Sequence, residues 1–245
     1  MRRVAFVSDI HSNLVALNAV LEDLKQFNIT DIWNFGDTVG YGPDPNGVLQ
    51  RLREVQATCI LGNHDAACVG IIGTENFNPI AKQAIEWTAS QIENKHFEWL
   101  KKLPKIHKQA NWVATHGSLR APLSEYLIKK NVISAHFSKQ TTHFSAVGHT
   151  HLPMVISLGK QGTISIIQPS KEKEIIKPIG SKICINPGSV GQPRDKDPRA
   201  SYALIDLNTG ETEFRRVTYD LKETQQNIRA QNLPEWLALR LETGT

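Results

Sequence analysis

Five times in its first 151 residues the chain repeats one arrangement: a short apolar run, then a side chain able to bind a metal. Val4–Val7 leads to Asp9 and His11, and Ile32–Phe35 to Asp37. Ala57–Leu61 leads to Asn63 and His64, Trp112–Thr115 to His116, and Ser145–Val147 to His149 and His151. Short apolar runs bounded by turn residues read as buried strands. Between them the apolar spacing changes to the helical period: Leu14, Leu17, Val20, Leu21 and Leu24, behind Asn13 as N-cap. A second helical pattern opens at Asn78-Pro79, runs to about Leu100 and stops at Pro104, and a third covers Val132–Ser138. Alternating strands and helices favour a largely parallel, buried sheet. Ligands of such sheets gather outside the carboxyl ends of the strands. One site can therefore collect every one of these polar residues.

After His151 the texture changes. Met154–Leu158, Thr163–Ile167, Ile183–Asn186, Tyr202–Leu207 and Glu213–Thr218 read as strands with short connections, which suggests antiparallel meander pairing. Gln168–Pro178 is polar and lysine-rich and reads as an exposed hairpin loop. Leu221–Leu241 reads as helix interrupted near Pro234. With neither a linker nor an internal repeat, the expectation is one domain over residues 1–245, with two sheets and a helical tail from about 220.

Composition narrows the function classes. At 40% hydrophobic and 21% charged, the chain is ordinary for a soluble globular protein. A net charge of +4, scattered along the chain, makes no case for nucleic acid or membrane, although nucleic acid is not excluded. Cys59, Cys68 and Cys184 are odd in number and form no CxxC, so reduced, buried thiols in a cytoplasmic protein are expected rather than disulfides or thiolate ligands. The start has too short an apolar core for a signal peptide, and no run reaches the roughly 18 residues of a membrane span.

Each polar piece has a plainer account when taken alone. An Asp-x-His after a strand is more often turn chemistry, a Gly-Asp is usually a turn, and a lone His is usually a surface or satisfied core residue. The conjunction alters this, because five of the nine histidines sit at these strand ends. His96, His107, His136 and His143 fall in helical or loop contexts and read as structural or exposed. Four imidazoles, two carboxylates and an amide oxygen make a mixed N/O set without sulfur, suited to Mn, Fe, Co, Ni or Zn rather than to all-oxygen Ca or Mg sites. Seven protein ligands exceed the needs of one ion. Two divalent ions sharing a carboxylate fit better, and such pairs suit in-line displacement at phosphorus.

In this order, Asp9-Ile10-His11, Gly36–Gly40, Gly62-Asn63-His64-Asp65, His116 and Gly148–His151 resemble the calcineurin-like metallophosphoesterase superfamily, with its D-x-H, G-D-x-x-G, G-N-H-[DE], H and G-H-x-H motifs. Asn186-Pro187-Gly188-Ser189-Val190 is similar to its small prokaryotic phosphodiesterase branch, whose members are often named by analogy with diadenosine tetraphosphatases, and extends the likeness to about residue 207. The resemblance implies an αββα sandwich of two mixed sheets flanked by helices. It implies one metal on Asp9, His11, Asp37 and His151, and a second on Asp37, Asn63, His116 and His149, with Asp37 bridging. Manganese is the expected ion, with iron, nickel, cobalt or zinc as alternatives. A metal-bridging hydroxide would attack phosphorus, while His64 protonates the leaving oxygen.

Two positions depart from the protein-phosphatase branch, where an Asp orients the catalytic His and an Arg grips the phosphoryl group. Here Gly40 and Tyr41 stand in those places. The expectation therefore moves toward phosphodiesters, with a small phosphate ester such as a nucleotide as substrate. A dinucleoside polyphosphate hydrolase, a phosphomonoesterase or protein phosphatase, and a non-catalytic scaffold are the alternatives. Asn63, Arg194 and Tyr41 are candidates to touch substrate. For Arg194 the competing account is surface pairing with Asp195 or Asp197, and for Tyr41 simple packing. A homo-oligomer is compatible with the sequence.

Overall fold

A computed structural model describes residues 3–170 and 172–245. Met1 and Arg2 of the amino-terminal segment, and Lys171 of the lysine-rich segment, lie outside the described residues. Two six-stranded sheets face one another. The first runs β3 (Thr58–Cys59), β2 (Ile29–Asn34), β1 (Arg3–Val7), β11 (Ala200–Asp206), β12 (Thr212–Val217), β9 (Lys173–Ile176). The second runs β4 (Ile106–Gln109), β5 (Trp112–Thr115), β6 (Phe144–Ala146), β10 (Lys182–Pro187), β7 (Pro153–Leu158), β8 (Ile164–Ile167). Strands β1, β2 and β3 pair in parallel, as do β5, β6 and β10, whereas β1–β11 and β7–β10 are antiparallel.

The apolar runs are continuous because both faces of each sheet are covered. In β1, Val4 and Phe6 point between the sheets with Trp33, Trp112, Phe144, Ile185 and Ile205. Ala5 and Val7 point the other way, under α1 (Leu14–Leu24) and α2 (Pro45–Glu54), where Leu17, Val20, Val48 and Leu52 meet Tyr202 and Leu204. The outer face of the second sheet, with Cys184 and Ile156, is covered by Ile133 and Phe137 of α6 (Lys130–Lys139). This gives the αββα layering. Helices α7 (Leu221–Ala230) and α8 (Glu235–Thr243) close one end against Tyr41 and α4 (Pro79–Gln91). Asn13 caps α1, its side chain accepting from the Ala16 amide at 3.1 Å. All three cysteines are free and buried. Among the described residues no helix is long and apolar enough to cross a membrane.

Several sequence expectations are corrected. Beyond His151, β7–β8 and β11–β12 pair antiparallel as expected, but the strands are divided between the two sheets instead of following one another as a continuous meander. The segment 168–178 is not a hairpin loop: it leaves β8 at the edge of the second sheet and contributes β9, paired with β12, to the edge of the first. The long helical pattern from Asn78 is two helices, α4 and α5 (Asn94–Lys101), broken where Ile92 and Glu93 are extended. His107 lies on β4, paired with Ala114.

Candidate metal centre

The ligand residues sit in the turns that leave the strands, and those turns are strained. Asp9, His11, Asp37, His149 and His151 all have φ between 48° and 66°, the left-handed region that non-glycine residues avoid. Such strain persists only where surrounding contacts over-determine it. The turns are sewn together by backbone bonds: Asp9 N–H donates to Gly36 O (3.0 Å), His11 N–H to Asp37 O (2.9 Å) and Gly148 N–H to His116 O (2.9 Å). Glycine is required where two turns touch. A Cβ at Gly62 would collide with the Asp37 amide and carboxylate, and one at Gly148 with Ser8 Oγ.

These turns bring together all seven candidate ligands. The ligand atoms of Asp9, His11 and His151 lie within 4.8 Å of one another, and so do those of Asp37, His116 and His149. Asp37 joins the two groups: its Oδ2 is 3.6 Å from His11 Nε2 and 3.3 Å from His116 Nε2, while its Oδ1 accepts from the His64 amide at 2.8 Å. Asn63 Oδ1 is 2.9 Å from His116 Nε2. His64 also lies within reach of a third grouping with His11 and Asp37.

The donor set fits divalent cations. The Nδ1 atoms of His11, His116 and His151 face the carbonyls of Val39 (3.2 Å), Phe35 (2.7 Å) and Gln192 (2.6 Å). A carbonyl only accepts, so each Nδ1 carries a proton. His11 and His151 then present an Nε2 lone pair to the site, whereas His116, which burial lowers but the Asp37 carboxylate raises to about 9, keeps an Nε2 proton that a bound cation would displace. Yet His11 Nε2 and His151 Nε2 stand 3.2 Å apart, and His116 Nε2 is 3.1 Å from His149 Nδ1. Burial holds His11 and His151 far below the usual imidazole range, so no proton sits between that pair. A cation resolves the opposed lone pairs. Asp9 agrees with this: burial, reinforced by Asp37, raises it to about 7, and a cation would keep it ionised, whereas Asp37, despite its burial, is held well below the usual carboxylate range by His116 and His64.

The Asn186–Val190 segment does more than extend the motif pattern, and its role was not visible in the sequence. Asn186 Nδ2 donates to Gly148 O (2.7 Å) and Thr150 Oγ1 (2.9 Å). Ser189 Oγ donates to Asp9 O (2.7 Å) and accepts from the Gln192 amide (2.8 Å). It thus ties the turns of Asp9 and His149 to the carbonyl that orients His151. Asp65, the last residue of the G-N-H-D motif, accepts from the amides of Val39 (3.0 Å) and Gly62 (2.9 Å), locking the second motif to the third.

Arg194 does not pair with Asp195 or Asp197, which hold Arg216 and Arg199 respectively. Its guanidinium lies 6.0 Å from the Tyr41 ring centroid, its Nε is buried without a partner, and its terminal nitrogen donates to Gln192 Oε1 (2.9 Å). Tyr41 lies 4.7 Å from the His11 ring and 4.4 Å from that of His64. Beside it opens a cleft of about 580 Å³ lined by Asn63, His64, Phe77, Lys105, Tyr126 and His149 among others.

Comparison with known proteins agrees with this geometry. The model of the calcineurin-like phosphoesterase superfamily domain matches residues 2–210. An uncharacterized protein of Methanocaldococcus jannaschii is 38% identical over 98% of each chain. The crystal structure of a metallophosphoesterase from Sphaerobacter thermophilus superimposes with a TM-score of 0.88 at 38% identity, covering 100% of this chain and 99% of that one. A hypothetical protein from Pyrococcus horikoshii shares the fold at 20% identity, with a TM-score of 0.83 and coverage of 100% and 99%. The chain belongs to the calcineurin-like phosphoesterase superfamily and is a metal-dependent phosphoester hydrolase with a divalent metal centre among its clustered His and Asp residues.

Proposed function

We propose that the enzyme is a phosphodiesterase with a two-metal centre. One ion is assigned to Asp9, His11, Asp37 and His151 and the other to Asp37, Asn63, His116 and His149, with manganese the expected metal. The position of Asp37 Oδ2 between His11 and His116 supports the shared ligand. Bound there, divalent ions supply positive charge to the phosphoryl oxygens and lower the pKa of attacking water.

The preference for diesters rests on one observation, the surroundings of His64. Its Nδ1 is buried with no hydrogen-bond partner, and a Cβ on Gly40 would come within 2.6 Å of that nitrogen. With glycine at position 40, no carboxylate stands there to orient the ring or keep it charged. Burial lowers His64 to about 4. An anionic phosphoryl group beside the ring would raise that value, which is the condition for His64 to protonate the leaving oxygen. Arg194 supplies a planar cation for phosphoryl oxygens, a lighter clamp suited to the single charge of a diester. Asn63 and Tyr41 border the same cleft and complete the substrate contacts.

The test is the ratio of kcat/KM on bis-p-nitrophenyl phosphate to that on p-nitrophenyl phosphate, with Mn-loaded protein. The diester should be preferred. A monoester preference would replace this reading with that of a phosphomonoesterase.

A further inference from the structure

The family match ends at residue 210, but the wall behind Tyr41 is built by residues beyond that point. Tyr41 packs with Ile228, Leu233, Leu237 and Leu241 of the two carboxy-terminal helices and the turn between them. Tyr41 also borders a second cavity of about 470 Å³, shared with Asn78, Pro79, Ile80, Trp236 and Arg240. Asn78 and Tyr41 line both spaces, so the two adjoin.

Three features of this cavity suit a nucleotide. Trp236 is 52% exposed and has no aromatic partner among the described residues, although it is one of the largest apolar surfaces on the chain. Arg240 follows it by four residues on α8, so the two project on one face. Arg199, Arg215, Arg216 and Arg229 each hold a carboxylate. Arg194 and Arg240, the two associated with Tyr41, pair with no acidic side chain among the described residues. The Arg240 Nε donates to the main-chain oxygen of Thr245 (2.5 Å), leaving its terminal nitrogens for another acceptor. Burial and the neighbouring Arg194 push Arg240 down to about 10. The first turn of α4 faces the same space, and helix amino-termini favour anions.

We propose that α8 forms a second subsite, in which Arg240 takes a phosphate and Trp236 stacks the base of a nucleotide whose ester bond lies at the metal centre. This rests on the phosphoesterase reading and narrows its substrate to nucleotide esters carrying a further phosphate. Planar guanidinium matches phosphate oxygens, and an exposed indole gives a base a stacking face.

Binding separates this subsite from the catalytic reading. Titration calorimetry on Mn-loaded protein should show adenosine diphosphate bound at least about tenfold tighter than inorganic phosphate, the scale of one stacked base. Arg240→Ala and Trp236→Ala should each cut that ratio at least about fivefold, with Arg240→Lys recovering part of it. Thermal melts of the variants identify any that fail to fold, and the Lys variant then carries the comparison. An unchanged ratio in folded Arg240→Ala and Trp236→Ala overturns the subsite. If the ratio falls as expected but neither nitrophenyl ester is hydrolysed, the subsite stands and the phosphodiesterase reading fails.

Discussion

Replacing Ser189 with alanine probes whether the metal centre is held by hydrogen bonds behind the ligands. The buried Ser189 hydroxyl donates to the Asp9 carbonyl at 2.7 Å and accepts from the Gln192 amide at 2.8 Å. Asp9 O keeps a second partner, the Gly191 amide at 3.1 Å, so its loss is partial. The Gln192 amide is left without its acceptor, and a buried orphan donor costs about 1–3 kcal/mol, with about 1 kcal/mol more for the other bond. The total of roughly 2–4 kcal/mol corresponds to a fall in Tm of about 4–16 °C for a chain of this size. The residue also governs chemistry, because Gln192 O orients His151 and Asp9 is itself a candidate ligand. Partners of this kind are worth about 10–100-fold in metal affinity. Ser201→Ala is the control: its equally buried hydroxyl donates to Pro187 O (2.7 Å) and touches no ligand turn. Both variants should melt early in calorimetry, but only Ser189→Ala should show weakened Mn binding by titration. An Mn affinity of Ser189→Ala unchanged from the parent protein would refute the idea that this hydroxyl positions the ligands.

His64→Ala should depress turnover while metal content, measured by plasma emission, stays near two ions per chain; loss of an ion would instead make His64 a ligand, as its grouping with His11 and Asp37 allows. His136 is buried, with Nδ1 receiving the Leu119 amide (3.2 Å) and Nε2 facing Ser145 Oγ (3.0 Å), and burial lowers it to about 4. Because the unfolded chain takes up that proton near pH 6.5 and the folded one does not, stability present above pH 6.5 is lost as pH falls toward 4, by about 3 kcal/mol. Urea midpoints against pH should therefore flatten over that window in His136→Gln, and an unaltered slope would count against the argument. Gly148→Ala should lower both Tm and metal content, since its methyl would meet Ser8 Oγ and push apart the turns of Asp9 and His149.

The alternation of apolar runs and metal-competent turns was enough to locate the candidate ligands, because strand ends follow local rules: buried strands are continuous apolar runs, and their exits carry glycine and polar residues. The elements that escaped such reading are those whose stability comes from elsewhere. Helix α2 carries only Val48, Leu49 and Leu52 as buried interior residues behind Pro45, too sparse a pattern to stand out. Helix α3 (Asn63–Cys68) is six residues hidden inside a ligand motif. Strands β4 and β9 are short, polar edges that exist because β5 and β12 offer them a ladder.

What the sequence determined by itself was the ligand chemistry, the helical and strand periods, and the absence at Gly40 and Tyr41 of the groups a protein phosphatase uses. Tertiary structure alone decided which sheet each late strand joins, that Ser189 and Asn186 clamp turns lying 36 to 180 residues away, and that Arg194 faces Tyr41 instead of Asp195. It also placed Arg240 of the last helix beside Tyr41, the residue that follows the second motif. The division has a physical cause. Ligand type and strand period are properties of neighbours in the chain, whereas a clamp or a shared pocket depends on distances that exist only after the two sheets have packed.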